Sequence, residues 1–445
     1  MRHWIDRPLR RLIAIALFWC VTLLILVSVT RLQAGGGQPT PRYVSKIATA
    51  SDVGICSDPA QPCRTITYAI GQSWPGDTIY LSWNGSLLSP DYTFYEHVTI
   101  DRNLSIIGQP VLLRGARVAI DGGSEGGSIP PGRVITVTAS VTTANISNVS
   151  IQNGHVGQNG GGLYIAGGQV TLTNVIVKGN MLAAQDGAGI YLNAGGLTLD
   201  HVTIRDNSTG GAGGGLYSNG TLTMTDSTVM SNTANIGGGF ELHGPATLTN
   251  VTLNGNSASG SQGGAFRTIG TNAKVHMQNV TMAGNTSHLD GAAGLIDNGS
   301  QVRLNHCTIA NNAAGTGYVS GLASSAAVTL TNTIILGTGS NPTCAGVITS
   351  GGHNLGSDNS CNLVAAGDLT TTIPLLGAVA NNGGATQTMA LLPGSPAIDH
   401  ADNSGPTTDQ RGVARQDGNF DGIVAPDIGA YEYVPRHVFL PLILR

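Results

Sequence analysis

Asn250-Val-Thr-Leu-Asn-Gly-Asn256 and Asn279-Val-Thr-Met-Ala-Gly-Asn285 are two copies of one phrase. Its first position, the marker, recurs at Asn148, Asn174, His201, Asp226, Asn250, Asn279, His306 and Asn332. The steps are 26, 27, 25, 24, 29, 27 and 26 residues. A period this steady, with a fixed apolar pattern inside it, marks a solenoid whose turns stack on one another.

Alignment of the copies converts sequence into columns. Four before the marker stand Ala144, Val170, Leu197, Leu222, Ala246, Val275, Val302 and Val328. Two before it stand Ile146, Leu172, Leu199, Met224, Leu248, Met277, Leu304 and Leu330. One after it is mostly Val, with Ser227, Cys307 and Thr333 as exceptions; three after it is aliphatic from Ile151 to Ile335. Alternation with period two on each side predicts strands with one buried face. The phase slips by one residue at the marker, which predicts a corner there. Asn and Asp tolerate the left-handed backbone of such a corner better than other non-glycine residues.

Two after the marker, on the outward face, the column reads Ser150, Ile176, Thr203, Thr228, Thr252, Thr281, Thr308 and Ile334. Six after it a second corner is expected at Gly154, Asn180, Asn207, Asn232, Asn256, Asn285, Asn312 and Thr338. Stacked amides there are expected to hydrogen-bond from turn to turn. A third strand follows each glycine-rich loop, as in Gly162-Leu-Tyr-Ile, Gly189-Ile-Tyr-Leu, Gly215-Leu-Tyr-Ser, Gly239-Phe-Glu-Leu and Ala265-Phe-Arg-Thr. Three strands per turn make three parallel sheets around an apolar core. The pattern resembles the right-handed parallel β-helix proteins, and the resemblance, with the crossover rule, supplies the handedness. The expected fold is all-β: this solenoid with an N-terminal capping helix and an irregular C-terminal cap. Variable loops in every turn favour a closed monomeric coil over an amyloid-type stack.

Glycine is high, at 64 of 445 residues, and charge is only 10%. The glycines recur at set places in the repeat, which separates the chain from low-complexity sequence. Residues 1–34 form a separate object. Arg2, Arg7, Arg10 and Arg11 precede an apolar run from Leu12 to Thr30, and Leu32-Gln33-Ala34 offers a cleavage site. This reads as a secretory signal peptide, with an uncleaved membrane anchor as the alternative. Any membrane contact is expected only through this segment. Without its five Arg and one Asp the chain has 16 basic and 24 acidic residues, net −8. No basic patch exists, which argues against a nucleic-acid partner. Export also fits the cysteines: Cys56 with Cys63 and Cys344 with Cys361 are expected disulfides. The odd Cys307 falls in a core column and is expected to be buried and inert.

Before the repeats, in residues 43–133, Cys63-Arg-Thr-Ile-Thr-Tyr-Ala-Ile-Gly-Gln-Ser-Trp-Pro-Gly-Asp77 reads as a short amphipathic helix stopped by Pro75-Gly76. Short strands are expected at Thr78–Leu81, His97–Ile100, Leu104–Ile107, Val111–Arg114 and Val118–Ile120. This resembles the first turns of many secreted β-helix proteins, where a helix covers the open end. The regular repeats occupy 134–340, and the period is lost after Thr338. Asn382-Gly-Gly-Ala-Thr-Gln-Thr-Met-Ala-Leu-Leu-Pro-Gly-Ser-Pro-Ala-Ile-Asp399, Asp409-Gln-Arg-Gly-Val-Ala-Arg415 and Asp427-Ile-Gly-Ala-Tyr-Glu-Tyr433 follow. Residues 345–433 resemble the choice-of-anchor Q domain of exported bacterial β-helix proteins, which implies surface display. The repeats also resemble those of polymorphic outer-membrane proteins. The tail 434–445 is apolar but too short to span a bilayer.

Chemistry is sparse. Asp417-Gly-Asn-Phe-Asp-Gly422 places oxygen ligands at positions one, three and five and Gly at six, as calcium loops do. Asp417, Asn419 and Asp421 are therefore a candidate calcium set, although position twelve is Ile428. Tyr164, Tyr191 and Tyr217 share one outward column of the third sheet and are expected to form an exposed aromatic strip. Glu241 and Arg267 continue that column as an expected pair. Such a strip suits polysaccharide, with a stabilising aromatic ladder as the alternative. β-Helix lyases and hydrolases need clustered carboxylates. Asp186, Asp200, Asp206, Asp226 and Glu241 fall in different columns, no two opposed, and Asp206 with Arg205 and His201 is the densest set. Asp226 and His201 stand in the corner column with a structural role, and no catalytic residue is assigned. Asp399, Asp409, Arg411, Arg415 and Asp427 are read as a carboxylate–arginine lock. The first functional expectation is a non-catalytic exported protein of the cell surface, acting in adhesion, surface structure or glycan contact. The alternatives are a polysaccharide lyase or hydrolase and a membrane-anchored stalk.

Overall fold

The computed structural model describes residues 39–435 apart from 48, 83–92, 110–116, 124–130, 298, 371–372, 419–421 and 423. The leader, the expected strand at 111–114 and most of the tail lie outside the described residues. The coil is built as its columns require. Strands before the marker (Gln169–Thr173, Gly196–Asp200, Thr221–Thr225) stack in one parallel sheet. Strands after it (Ile176–Lys178, Thr203–Arg205, Thr228–Met230) form the second. Leu163–Ile165, Ile190–Leu192 and Leu216–Ser218 begin the third. Val170 faces Leu197 and Leu197 faces Leu222, so each aliphatic column is continuous. One apolar cluster runs from Val44 to Leu363. Burial of each such side chain is worth ~1.5–3 kcal/mol.

All eight marker residues are left-handed, with φ from 48° to 58°. The phase slip in the sequence is this corner. At the second corner the left-handed residue falls five after the marker, one earlier than the sequence suggests: Asn153, Gly179, Asp206, Ser231, Gly255, Gly284 and Asn311. That turn points the following Asn inward. Asn180, Asn207, Asn232, Asn256, Asn285 and Asn312 are all buried, and the Nδ2 of each of the first five donates to the next Oδ1 at 2.8–3.0 Å. Two-residue strands follow this ladder, from Met181–Leu182 to Ala313–Ala314, and make a fourth, narrow sheet. They are too short to show a period in sequence.

At the N-terminal end Pro41–Ser45 is the first strand, paired in parallel with Thr78–Ser82. It was not expected; its proline sits at the strand start, where the missing donor is tolerated. The capping helix α1 is Ile66–Gly71, with Thr65 as N-cap and Ile66, Ala69 and Ile70 buried. The Glu96 carboxylate, itself buried, accepts the Ile66 and Thr67 amides at 2.9 Å each. It thereby satisfies two orphan donors of that helix.

The coil continues one turn past Thr338. Cys344–Ser350 pairs with Leu322–Thr331 and Leu355–Gly356 with Ile334–Ile335. His353, φ 53°, is a ninth marker 21 residues after Asn332. This turn lacks the glycine-rich loop, and so its period is lost. The Cys344–Cys361 disulfide and Leu363 close the end over it, while Cys56–Cys63 closes a loop near the first strand.

Residues 373–435 then run back along the outside of the coil. Leu376–Ala380 and Thr388–Leu391 form an antiparallel pair, and the rest is irregular. The segment lies over the outward threonine column, so Thr252, Thr281, Thr308 and Ile334 are buried rather than exposed. Earlier members Ile176, Thr203 and Thr228 remain half-buried.

Candidate functional site

The third sheet carries the densest outward-facing chemistry. Its column runs Thr136, Tyr164, Tyr191, Tyr217, Glu241, Arg267 and Leu295 in unbroken register. Tyr164 and Tyr191 stack at 5.6 Å between centroids, and Tyr191 and Tyr217 at 4.9 Å. The Arg133 guanidinium lies 4.8 Å over the outer face of Tyr164. The His243 imidazole stacks 4.9 Å from Tyr217 at the other end. Every ring face is thus taken by a neighbour. The tyrosines do point outward, but the expected open strip does not form: Tyr191 is only 9% exposed. The phenols present edges, and Asn219 donates to the Tyr191 hydroxyl at 3.4 Å. Burial raises the Tyr191 pKa, and burial with the neighbouring Tyr191, Asp186 and Glu241 raises that of Tyr217 further. Both stay neutral phenols at physiological pH.

The stack ends in charge. Glu241 and Arg267, expected to pair, do so at 3.1 Å. Arg267 also holds Asp297, with Nε at 2.7 Å and Nη2 at 2.6 Å. One guanidinium is therefore shared by two carboxylates. Glu241 is 2% exposed, and its Oε2 has no hydrogen-bond partner among the described residues. A Cβ on Gly237 would stand 2.9 Å from that oxygen, so glycine leaves the space beside it open. His243 Nε2 lies 3.4 Å from Glu241 Oε1 without hydrogen-bond geometry. Sequence reading missed Asp297 and His243. They belong to the column that follows each third strand, and only the fold brings that column beside Glu241 and Arg267.

The corner column is a second assembly. Asn174 donates to Asn148 at 2.7 Å, Asn250 to Asp226 at 3.0 Å and Asn279 to Asn250 at 3.1 Å. Beyond Asn250 the C-terminal segment takes over. Asn279 donates to Thr408 O and accepts from Arg415, and Asn332 donates to Asp402 at 2.8 Å. Gln410 enters between sheet and segment, accepting from Thr281 and donating to Thr252 and Thr386 at 2.6–2.9 Å. Asp409 binds Arg411, and Arg415 binds Glu432 at 3.0 Å. The Asp427 oxygens accept the Asp399 and Tyr433 amides. Burial pushes Asp427 and Glu432 upward together. These groups fasten loops to one another and to the coil.

Residues 134–279 and 188–362 match the family described as the right-handed β-helix region, together more than half of the chain. The chain belongs to the right-handed β-helix family. No curated protein sequence matches it. Among solved structures, the crystal structure of pectate lyase Pel9A is similar at 13% identity, covering 90% of this chain and 98% of that one, with a TM-score of 0.50. At that identity the likeness concerns the fold alone.

Within this β-helix the remaining candidates are placed as follows. Asp417 Oδ2 accepts the Gly422 amide at 2.9 Å, closing its loop, while Asn419 and Asp421 lie outside the described residues. Cys307 is buried, its thiol directed at Met277 O and Asn305 O, and burial pushes it up to about 12. It is no nucleophile at neutral pH. Arg205 pairs with Asp206, but His201 turns instead to Asp200.

Proposed function

We propose that the protein is a non-catalytic, exported β-helix of the cell surface that contacts polysaccharide along its third sheet. The observation that carries this reading is the closed stack itself. Its ring faces are occupied, and its two acids share Arg267, which makes a rigid rail of phenol edges that ends in one ion cluster. Such a rail offers hydroxyl and amide groups to sugar hydroxyls along successive turns ~4.8 Å apart. Two disulfides, the leader sequence and the anchor-like phrases of residues 345–433 support export and display. Calcium at Asp417, Asn419 and Asp421 is a proposal of the same kind, and a calcium titration without heat removes it. The test of the main reading is a polysaccharide panel scored for binding and for release of reducing or unsaturated ends. Binding without turnover, weakened by Tyr191→Ala with Tyr217→Ala, supports it; turnover of any polymer overturns it.

One observation favours a second reading, a polysaccharide lyase or hydrolase. Glu241 Oε2 is buried and has no hydrogen-bond partner among the described residues, and it lies beside an imidazole and a phenol, groups suited to proton transfer. On that reading Glu241→Gln abolishes turnover and leaves binding in place.

A further inference from the structure

The corner column carries two consecutive exceptions to asparagine, His201 and Asp226, and they stand one turn apart. The strand Gly196–Asp200 delivers a second carboxylate directly before His201. His201 Nδ1 and Asp200 Oδ1 are 2.7 Å apart. One ligand atom from each of Asp200, His201 and Asp226 lies within 4.8 Å of the other two. Asp226 Oδ1 also accepts from Asn250 Nδ2 at 3.0 Å, which leaves its other oxygen available. Some of the coil's other acids are met by arginine, as Glu241 and Asp297 are by Arg267 and Asp206 by Arg205. Among the described residues no Lys or Arg pairs with Asp200 or Asp226. Two half-buried carboxylates this close repel unless a cation lies between them. The amide ladder also breaks here: no side-chain hydrogen bond joins His201 to Asn174 or to Asp226 among the described residues. His306 breaks the same column, but there the C-terminal segment covers it and sets Arg415 nearby.

We propose that Asp200, His201 and Asp226 form a surface site for a divalent transition-metal ion of the zinc class. One imidazole nitrogen and two carboxylate oxygens are the donor set such ions take, and the imidazole disfavours calcium and magnesium. Bond lengths of ~2.0–2.2 Å would draw the three atoms to ~3.4 Å from one another, a side-chain adjustment on a fixed backbone. The left-handed corners at His201 (φ 54°) and Asp226 (φ 48°) hold the two turns in step. His201 is exposed and Asp226 half-buried, so water can complete the shell.

The test is a calorimetric titration of zinc chloride into the full exported chain, repeated with His201→Asn and Asp226→Asn. Each substitution restores the residue that the column otherwise carries, and unchanged circular dichroism verifies the fold. The expected result is a single zinc site, weakened at least ~10-fold by either substitution. Zinc binding that survives both substitutions overturns the proposal. So does the absence of binding to the parent chain.

Discussion

Asn256→Ala tests the buried amide ladder most directly. The side chain is fully buried and makes four hydrogen bonds. Nδ2 donates to Val229 O and Asn285 Oδ1, each at 3.0 Å. Oδ1 accepts from Asn232 N at 3.1 Å and Asn232 Nδ2 at 3.0 Å. Not all of these partners are stranded by the substitution. Asn232 Nδ2 keeps Ile204 O, and Asn285 Oδ1 keeps the Asn256 amide. The Asn232 N–H has no other partner among the described residues, and burying it unpaired costs ~1–3 kcal/mol. With the lost neutral bonds the expected total is ~2–4 kcal/mol. Long repeat arrays depart from two-state unfolding, so a global melt alone does not decide the matter. Hydrogen exchange of the Asn232 amide does: a loss of 2 kcal/mol accelerates it ~30-fold. An unchanged Asn232 exchange rate, or a total cost below ~1 kcal/mol, would refute the account of the ladder.

Three further outcomes are expected. His306 is fully buried, and burial, then Arg415, lowers its pKa to about 2. A released His306 takes a proton near its ordinary value while the folded one does not. Its contribution is therefore complete above ~6.5 and is lost as pH falls below that, by up to ~1.4 kcal/mol per pH unit. Chemical-denaturation midpoints across pH 4–7 should show a shallower acid decline in His306→Asn than in the parent. Cys344→Ser with Cys361→Ser opens a loop of 17 residues and should lower the stability of the last turn by ~3 kcal/mol. Earlier proteolytic cleavage within 340–370 would report it. Gln410→Ala removes three side-chain bonds that reach Thr252, Thr281 and Thr386. Limited proteolysis should then cut residues 373–435 while the coil stays intact; simultaneous loss of both would contradict a separately fastened segment.

The coil was legible because its physics is periodic. Inward columns such as Val170, Leu197 and Leu222 announce buried strands, and the phase slip at Asn148 or Asn174 announces a corner. Both disulfides and the Glu241–Arg267 pair could be read from spacing and register. What escaped has the opposite character. The landing of Gln410 on Thr252 joins residues 158 apart in sequence through single side chains, with no repeat to signal it. The strands Ser208–Thr209 and Thr233–Ala234 are too short to alternate. The tyrosine column was placed on the outward face, but its closure by Arg133 and His243 depends on residues from other columns. Asp200 and Asp226 come together only because the coil stacks one strand end over the next corner.

The C-terminal segment has a consequence for how this coil can vary in length. It touches Asn250 O through Thr386, Asn279 through Arg415, Thr308 through Ala430 and Asn332 through Gly429. A chain that meets four successive turns at fixed points acts as a gauge. Inserting or deleting one turn between Asn250 and Asn332 would shift the landing points by ~4.8 Å and break the match. Adding turns upstream of Asn250 would leave every one of those points in place. The two halves of one uniform-looking repeat therefore differ in evolutionary freedom: duplication is cheap upstream and forbidden under the gauge.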